Sequence, residues 1–113
     1  MKPKFMLRSA IAAVAAATAL GLASPALAIS SNTTGAEAYG NSTGEWRVYD
    51  TKCDSESAYG NFVEKNTSGV QRKNNTSGCN TMVKGDIGDA VTSVQACRDV
   101  TLGTDNCGGW NEW

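Results

Sequence analysis

The feature that most constrains this chain is its set of four cysteines among 113 residues, in a sequence without histidine. No two cysteines form a Cys-x-x-Cys pair, and imidazole ligands are absent, so the usual structural zinc sites cannot form. An even number of widely spaced cysteines in a short chain instead predicts two disulfides, provided that the protein folds in an oxidising compartment. The residues concerned are Cys53, Cys79, Cys97 and Cys107.

The first 28 residues predict such a compartment. Three cations precede an apolar stretch over residues 11–22, and the small-x-small pattern Ala26-Leu27-Ala28 follows it. This order is typical of a Sec signal peptide. As a helix the apolar stretch would reach about 18 Å, short of a bilayer core of about 30 Å, which disfavours a membrane anchor. We therefore expect a signal helix over residues 1–28, cleaved after Ala28, and a secreted, extracellular product that no longer contacts the membrane.

Four cysteines allow three pairings, which the sequence leaves open. We favour Cys53–Cys79 with Cys97–Cys107, because the second pair encloses the turn-forming segment Gly103-Thr104-Asp105-Asn106. Loop entropy assigns about 3.5 kcal/mol to the 27-residue loop of the first pair and about 3 kcal/mol to the 11-residue loop of the second. Because a domain is typically stable by only about 5–15 kcal/mol, reduction should be severely destabilising.

The composition after the expected cleavage excludes several functions. Residues 29–113 carry seven Lys and Arg against eleven Asp and Glu, a net charge of −4. This balance argues against a nucleic-acid partner and against a cationic peptide that attacks anionic lipid. Only 18 of these 85 residues are large and apolar. The core must therefore be small, and covalent cross-links matter correspondingly more.

The expected mature sequence is punctuated by four Asn-(Ser/Thr)-(Ser/Thr)-Gly tetrads. Their side chains bond to nearby backbone and their glycines permit positive φ, so we interpret them as turns, in preference to the glycosylation pattern that they also match. Short β-branched and aromatic segments between them predict an all-β protein, a small antiparallel sandwich or barrel. Within it, Trp46 should lie in the core beside Val48, which shares its face of a strand. The tetrads begin at Asn32, Asn41, Asn66 and Asn75, and the segments span residues 45–49, 58–64, 70–73, 81–83 and 90–100.

The domain boundaries follow from these patterns. Residues 29–44 are polar and glycine-rich, and we expect them to form a flexible N-terminal arm. Residues 45–113 should then form the disulfide-stabilised β domain. An alternative remains, because Ala38-Tyr39-Gly40-Asn41 repeats the pattern of Ala58-Tyr59-Gly60-Asn61 and could itself be a strand.

Three short segments of the chain are distinctive, namely Val48-Tyr49-Asp50-Thr51-Lys52, Val94-Gln95-Ala96-Cys97-Arg98-Asp99 and Cys107-Gly108-Gly109-Trp110. Together they resemble a group of small secreted actinobacterial proteins without assigned function. The likeness covers about half of the expected mature chain, and its motifs are short. It implies an all-β secreted fold in which Cys97–Cys107 is the shared disulfide and Cys53–Cys79 an addition, and it implies no activity.

The segment Trp46-Arg47-Val48-Tyr49 more weakly resembles the Trp-Arg-Tyr triplet of small β-sandwich α-amylase inhibitors from the same bacteria. Those inhibitors present the triplet on a loop closed by their first disulfide. Here Val48 is inserted and the segment precedes Cys53, outside either favoured disulfide loop. Both departures count against inhibition by that mechanism.

The residue types argue against an enzyme. Without histidine, Ser-His-Asp and Cys-His arrangements cannot form, and oxidised cysteines are not nucleophiles. The nearest carboxylate pair is Asp86 and Asp89 in a Gly-Asp-Ile-Gly-Asp segment. We interpret it as a solvated loop, and as only a weak candidate for a calcium site, because it lacks EF-hand spacing. We therefore expect no catalytic residue and no cofactor.

The most suggestive segment for function is the C-terminal Gly108-Gly109-Trp110-Asn111-Glu112-Trp113. Its two indoles could form a platform for sugar rings or a protein partner, or fold back to cap the small core. We take Trp110 and Trp113 as the candidate binding residues. The sequence thus predicts a secreted non-enzymatic binding protein for an extracellular or cell-surface polymer, with an inhibitor or toxin-like protein that acts on another protein as the alternative.

Overall fold

The computed structural model describes residues 27–113. The predicted signal peptide, apart from its last two residues, lies outside the described residues. The described part contains no helix and folds into nine β strands. They are β1 (Ala28–Thr33), β2 (Ala36–Asn41), β3 (Glu45–Asp50), β4 (Ser57–Glu64), β5 (Gln71–Asn75), β6 (Thr81–Asp86), β7 (Val91–Asp99), β8 (Asn106–Cys107) and β9 (Asn111–Glu112).

These strands form two antiparallel sheets packed as a sandwich. The first sheet has the order β1-β2-β3-β6, and the second has the order β9-β7-β4-β5, with β8 also paired to β7. The all-β sandwich predicted from the strand segments is confirmed. Strand β7 is central to the second sheet, because it pairs with β4 along one edge and with β8 and β9 along the other.

The core lies between the sheets and is built from the side chains that point inward at alternate positions along each strand. Trp46 and Phe62 meet across it with ring centroids 5.9 Å apart, and Val48, Val91 and Val94 are fully buried. Full burial of a side chain of this size contributes about 1.5–3 kcal/mol. The prediction that Trp46 is a core residue on the same face as Val48 is confirmed.

The prediction of a flexible arm over residues 29–44 is wrong, because this segment forms strands β1 and β2 of the first sheet. Its inward positions are small because the opposite sheet comes close: a side chain at Gly40 would collide with Val91. The buried Ser31 hydroxyl accepts a hydrogen bond from the Ala96 N–H at 3.0 Å and donates to the Gly109 carbonyl at 2.7 Å. A polar, glycine-rich segment is therefore integral to the fold, as the repeated Ala-Tyr-Gly-Asn pattern suggested.

The Asn tetrads are turns in the structure. Three of them end in a glycine with positive φ, namely Gly35 (87°), Gly44 (99°) and Gly78 (109°), while in the tetrad over residues 66–69 it is Asn66 that adopts φ 67°. The mechanism is clearest at Asn41, whose side-chain oxygen accepts hydrogen bonds from the backbone N–H groups of Thr43 and Glu45 at 3.0 Å each. These are the left-handed positions that glycine and asparagine tolerate.

Both predicted disulfides are present, and the described residues contain no free cysteine. Cys53–Cys79 joins the segment after β3 to the segment after β5, with 4.9 Å between Cα atoms. Cys97–Cys107 links β7 to β8 directly, and Cys97 is fully buried. Two disulfides fit an extracellular protein. Within residues 27–113 the structure shows no helix long and apolar enough to span a bilayer.

Candidate functional site

The C-terminal segment is fastened to the edge of β7. Strand β9 pairs Asn111 with Val94 and Glu112 with Ser93. The Asn111 amide donates to the Ser30 carbonyl of the first sheet, and the Trp113 indole N–H donates to the Val91 carbonyl at 2.7 Å. The two candidate binding residues thus lie on a segment anchored to both sheets.

The two glycines before the tryptophans explain how the segment reaches this edge. Gly108 donates its N–H to the Ala96 carbonyl at 2.9 Å and accepts from the Gln95 side chain at 3.1 Å. A Cβ atom at Gly108 would overlap the backbone oxygen of Asn32 in β1. Only glycine permits this close approach of two backbones.

Both indoles remain partly in solvent despite this anchoring. Trp110 is 44% exposed and Trp113 is 48% exposed. Within the described residues, the Trp113 indole N–H is bonded to the Val91 carbonyl, whereas the Trp110 indole N–H makes no such bond.

A second exposed surface lies on the outer side of the first sheet. We call it the bare face, and no described strand covers it. Met82 on it is 39% exposed. It is formed by the outward side chains Glu37, Tyr39, Arg47, Tyr49, Met82 and Lys84.

Arg47 is held rigidly at the centre of the bare face. Its guanidinium lies 4.8 Å from the centre of the Tyr39 ring, and its Nε donates to Glu45 at 2.9 Å. This hydrogen bond holds the pKa of Glu45 below its usual range and, together with Tyr49, raises the pKa of Arg47. At one end of the bare face, a concavity of about 350 Å³ is lined by Tyr49 and Met82 together with Asp50, Thr51, Asn80 and Thr81. Tyr, Arg and Met are the residue types enriched where proteins bind one another.

The outer side of the second sheet, which we call the covered face, is closed by contrast. Tyr59 is only 6% exposed, beneath the Arg72 guanidinium at 3.5 Å from its ring centre, and its hydroxyl donates to Asp105 at 2.6 Å. Arg72 also pairs with Asp99 at 3.2 Å. Burial and the Asp105 hydrogen bond raise the pKa of Tyr59, while the same bond lowers that of Asp105. These groups satisfy one another and stabilise the fold.

The carboxylates Asp86 and Asp89 lie at the connection between β6 and β7 and are exposed. Asp86 accepts from the Gly88 N–H at 2.7 Å, and Asp89 accepts from the Ala90 N–H at 2.8 Å. Over residues 27–113 no group of three or more Asp, Glu, His or Cys side chains is arranged to hold a metal ion. The pair therefore acts as a turn element in this structure.

The Trp46-Arg47-Val48-Tyr49 segment does not form a single surface. Strand β3 buries Trp46 and Val48 in the core and turns Arg47 and Tyr49 to the bare face. The triplet surface of the α-amylase inhibitors therefore has no counterpart here. The bare face was not predicted from the sequence, although the alternation of Glu45–Asp50 contained the signal for its central two residues.

No protein-family model, curated protein or solved structure matches this chain. The resemblance to small actinobacterial secreted proteins stays a prediction, and the function is argued from the geometry of these surfaces.

Proposed function

We propose that this protein is a secreted, non-enzymatic binding domain that attaches to an extracellular or cell-surface polymer through its C-terminal tryptophans. The observation that supports this proposal is the rigid presentation of Trp110 and Trp113, each about half exposed on a segment fastened by β9. A ring placed only to stabilise the core would be buried more completely. Pre-ordered aromatic side chains bind with little loss of conformational freedom.

The chemistry of an indole favours a polysaccharide. Its flat face is apolar and its N–H edge is polar, which suits the apolar face and hydroxyl rim of a sugar ring. With no histidine in the chain and all four cysteines in disulfides, the residues support attachment rather than turnover. The leader-like residues 1–28 and the two disulfides support an extracellular location.

Retention on insoluble chitin, cellulose and purified cell wall tests this proposal. The unmodified protein should be retained on at least one of them. Trp110→Ala should abolish retention at a temperature where circular dichroism shows it to be folded, although it should lower the midpoint of thermal unfolding because just over half of the indole is buried. Leu102→Ala is the matched control, since Leu102 is 95% exposed and outside the tail, and it should be retained fully. Failure of the unmodified protein to bind any of the three polymers would reject the proposal.

A second candidate function, a secreted inhibitor or toxin-like protein that acts on another protein, is favoured by the bare face. Its exposed Met82, its half-buried tyrosines and the pre-ordered Arg47 have the composition of a protein interface. Such a partner should co-elute from culture medium with the unmodified protein and be inhibited by it. Tyr49→Ser with Met82→Ser should abolish co-elution and inhibition, whereas Trp110→Ala should affect neither. Absence of any inhibited partner would count against this candidate.

A further inference from the structure

Asp50 is a buried carboxylate that lacks, within the described part of the chain, hydrogen-bond partners for one of its two oxygens. It ends β3 on the inward side and is 3% exposed. Its Oδ1 accepts a long hydrogen bond of 3.3 Å from the Lys52 N–H. Among residues 27–113 no hydrogen bond to its Oδ2 is found, and the bond to Oδ1 is the one that this carboxylate accepts. A buried carboxylate oxygen without a donor is unfavourable, so it calls for a partner.

The neighbouring Asn75 shows what a satisfied buried polar group looks like at this end of the sandwich. It is fully buried, and its amide donates to the carbonyls of Val48 and Thr81 at 3.0 Å each. Its side-chain oxygen accepts from the Ser77 N–H at 2.9 Å. The fold therefore supplies partners for a buried amide here, while it leaves one oxygen of Asp50 open.

The open oxygen belongs to a residue that lines a cavity of about 310 Å³ next to the Cys53–Cys79 disulfide. The lining carries two carboxylates, one ammonium and three hydroxyls. Glu56, the second carboxylate, already accepts from the hydroxyl of Thr101 at 2.8 Å. The groups belong to Asp50, Lys52, Ser55, Glu56, Ser57 and Thr76.

The charges of this lining indicate the ligand. Two carboxylates against one ammonium leave one negative charge uncompensated, and Lys52 forms no ion pair with Asp50 in the described part of the chain. A metal ion is disfavoured, because no group of three suitable side chains is found among the described residues. An ammonium group would supply both the missing charge and short, charge-assisted hydrogen bonds. The hydroxyls of Ser55, Ser57 and Thr76 can donate and accept, as ligand hydroxyls require.

We propose that this cavity binds the ammonium group of a small hydroxylated ligand, of the class of amino sugars, with Asp50 as its anion. The site lies at the opposite end of the sandwich from Trp113, since Asp50 ends β3 beside Thr81, whereas Trp113 bonds to the first residue of β7. It is independent of polymer attachment by the tail, and Trp110→Ala leaves it intact.

The test is a titration of the ¹⁵N-labelled protein, with both disulfides intact, followed by backbone amide chemical shifts. D-Glucosamine at a pH where its amine is protonated should cause saturable shifts at the amides of residues 52–57. N-Acetyl-D-glucosamine and D-glucose, which lack the charge, should bind at least about tenfold more weakly, the equivalent of one charge-assisted hydrogen bond. Equal responses to all three sugars, or no saturable response, would overturn the proposal. A response to calcium chloride alone would also overturn it and indicate a metal site.

Two variants separate ligand binding from structure. Asp50→Asn keeps the size of the side chain and removes its charge, so glucosamine binding should fall at least about tenfold while thermal stability is retained. Lys52→Met should strengthen glucosamine binding, because it removes the only cation from the lining. If Lys52 itself serves as the partner of Asp50 in solution, Lys52→Met will instead destabilise the protein and leave binding absent, which contradicts the proposal. Asp86→Asn, outside the cavity, is the matched control and should change neither quantity.

Discussion

The covered face and the bare face are both formed by the side chains that point outward at alternate strand positions. They differ in whether other parts of the chain pack over these side chains. On the covered face, Tyr59 is 6% exposed beneath Arg72 and the segment that carries β8. On the bare face, Tyr49 has no such cover, and Met82 beside it is 39% exposed. The two faces carry similar residue types, a tyrosine with an arginine beside it, but the tyrosine is buried on the covered face and only half-buried on the bare face.

This difference indicates which side chains stabilise the fold. On the covered face, the Tyr59 hydroxyl, Arg72, Asp99 and Asp105 are joined by hydrogen bonds of 2.6 and 3.2 Å, next to the Cys97–Cys107 disulfide. On the bare face, Arg47 is ordered by its own strand and its neighbour, and its surroundings stay accessible. We therefore expect substitutions on the covered face to change stability and those on the bare face to change binding.

The largest effect should follow removal of the disulfide on the covered face. Loop entropy alone ranks Cys53–Cys79 slightly above Cys97–Cys107, at about 3.5 against about 3 kcal/mol. Because Cys97 is also fully buried beside Tyr59, we predict that Cys97→Ser with Cys107→Ser loses about 3–5 kcal/mol of unfolding free energy in urea. It should lose more than Cys53→Ser with Cys79→Ser. A larger loss for Cys53→Ser with Cys79→Ser would show that packing on the covered face adds little to the stabilisation by the Cys97–Cys107 disulfide.

The next largest effect should come from the junction between β8 and β9. Gly108→Ala forces a Cβ atom into the Asn32 carbonyl of β1, and we predict a loss of about 1–3 kcal/mol in urea unfolding. Gly109→Ala is the matched control, since nothing lies within 4 Å of a Cβ atom there. Equal stability of the two variants would show that the C-terminal segment does not pack against β1 as described.

Acid should weaken the covered face. The Tyr59 hydrogen bond lowers the pKa of Asp105, so its contribution to stability is fully present above the ordinary aspartate pKa and is lost as the pH falls through the lowered value. The urea midpoint should therefore drop between pH 7 and pH 3, and Asp105→Asn should make this drop smaller. Part of the drop will remain, because hydrogen bonds from Arg47 and Arg98 lower the pKa values of Glu45 and Asp54 in the same way. Asp89→Asn, on an exposed loop, is the control, and an unchanged pH response of Asp105→Asn would contradict this assignment.

The smallest effect on stability should come from the bare face itself. Met82→Ser removes a partly exposed apolar side chain and should lower the unfolding free energy by only about 1 kcal/mol, less than the loss of a fully buried side chain of this size. A loss above about 2 kcal/mol would mean that Met82 supports the fold and would remove the bare face from consideration as a binding surface.

Much of the architecture could be predicted because its signals are local. The alternation of residue types around Trp46 and Val48 predicted that both are buried. The turn-forming segment between Cys97 and Cys107 predicted that these two cysteines pair. The sequence favoured a flexible arm over strands β1 and β2, because their inward residues are small, as Ala36 and Ala38 are, or polar, as Ser31 is. These residues are stabilised by contacts distant in sequence. Ser31, for example, bonds to Ala96 and Gly109.

The candidate sites were predictable only in part for the same reason. Trp110 and Trp113 could be identified as aromatic residues near a glycine pair, but their attachment to β7 depends on Gly108 packing against β1. The inward position of Asp50 follows the same alternation as Trp46 and Val48, but its Asp-Thr-Lys segment has the composition of a surface turn, which pointed to exposure instead. Its position becomes significant only when β3 and the Cys53–Cys79 segment meet around a cavity.

One pair of measurements tests most directly whether the covered face stabilises the fold while the bare face is free to bind. Tyr59→Phe and Tyr49→Phe each remove a single hydroxyl, one from each face, and urea unfolding at pH 7 compares them. The structure predicts a loss of about 1.5 kcal/mol for Tyr59→Phe, which breaks the 2.6 Å bond to Asp105, and a change within about 0.5 kcal/mol for Tyr49→Phe. Equal losses, or a larger loss for Tyr49→Phe, would contradict this division between the two faces.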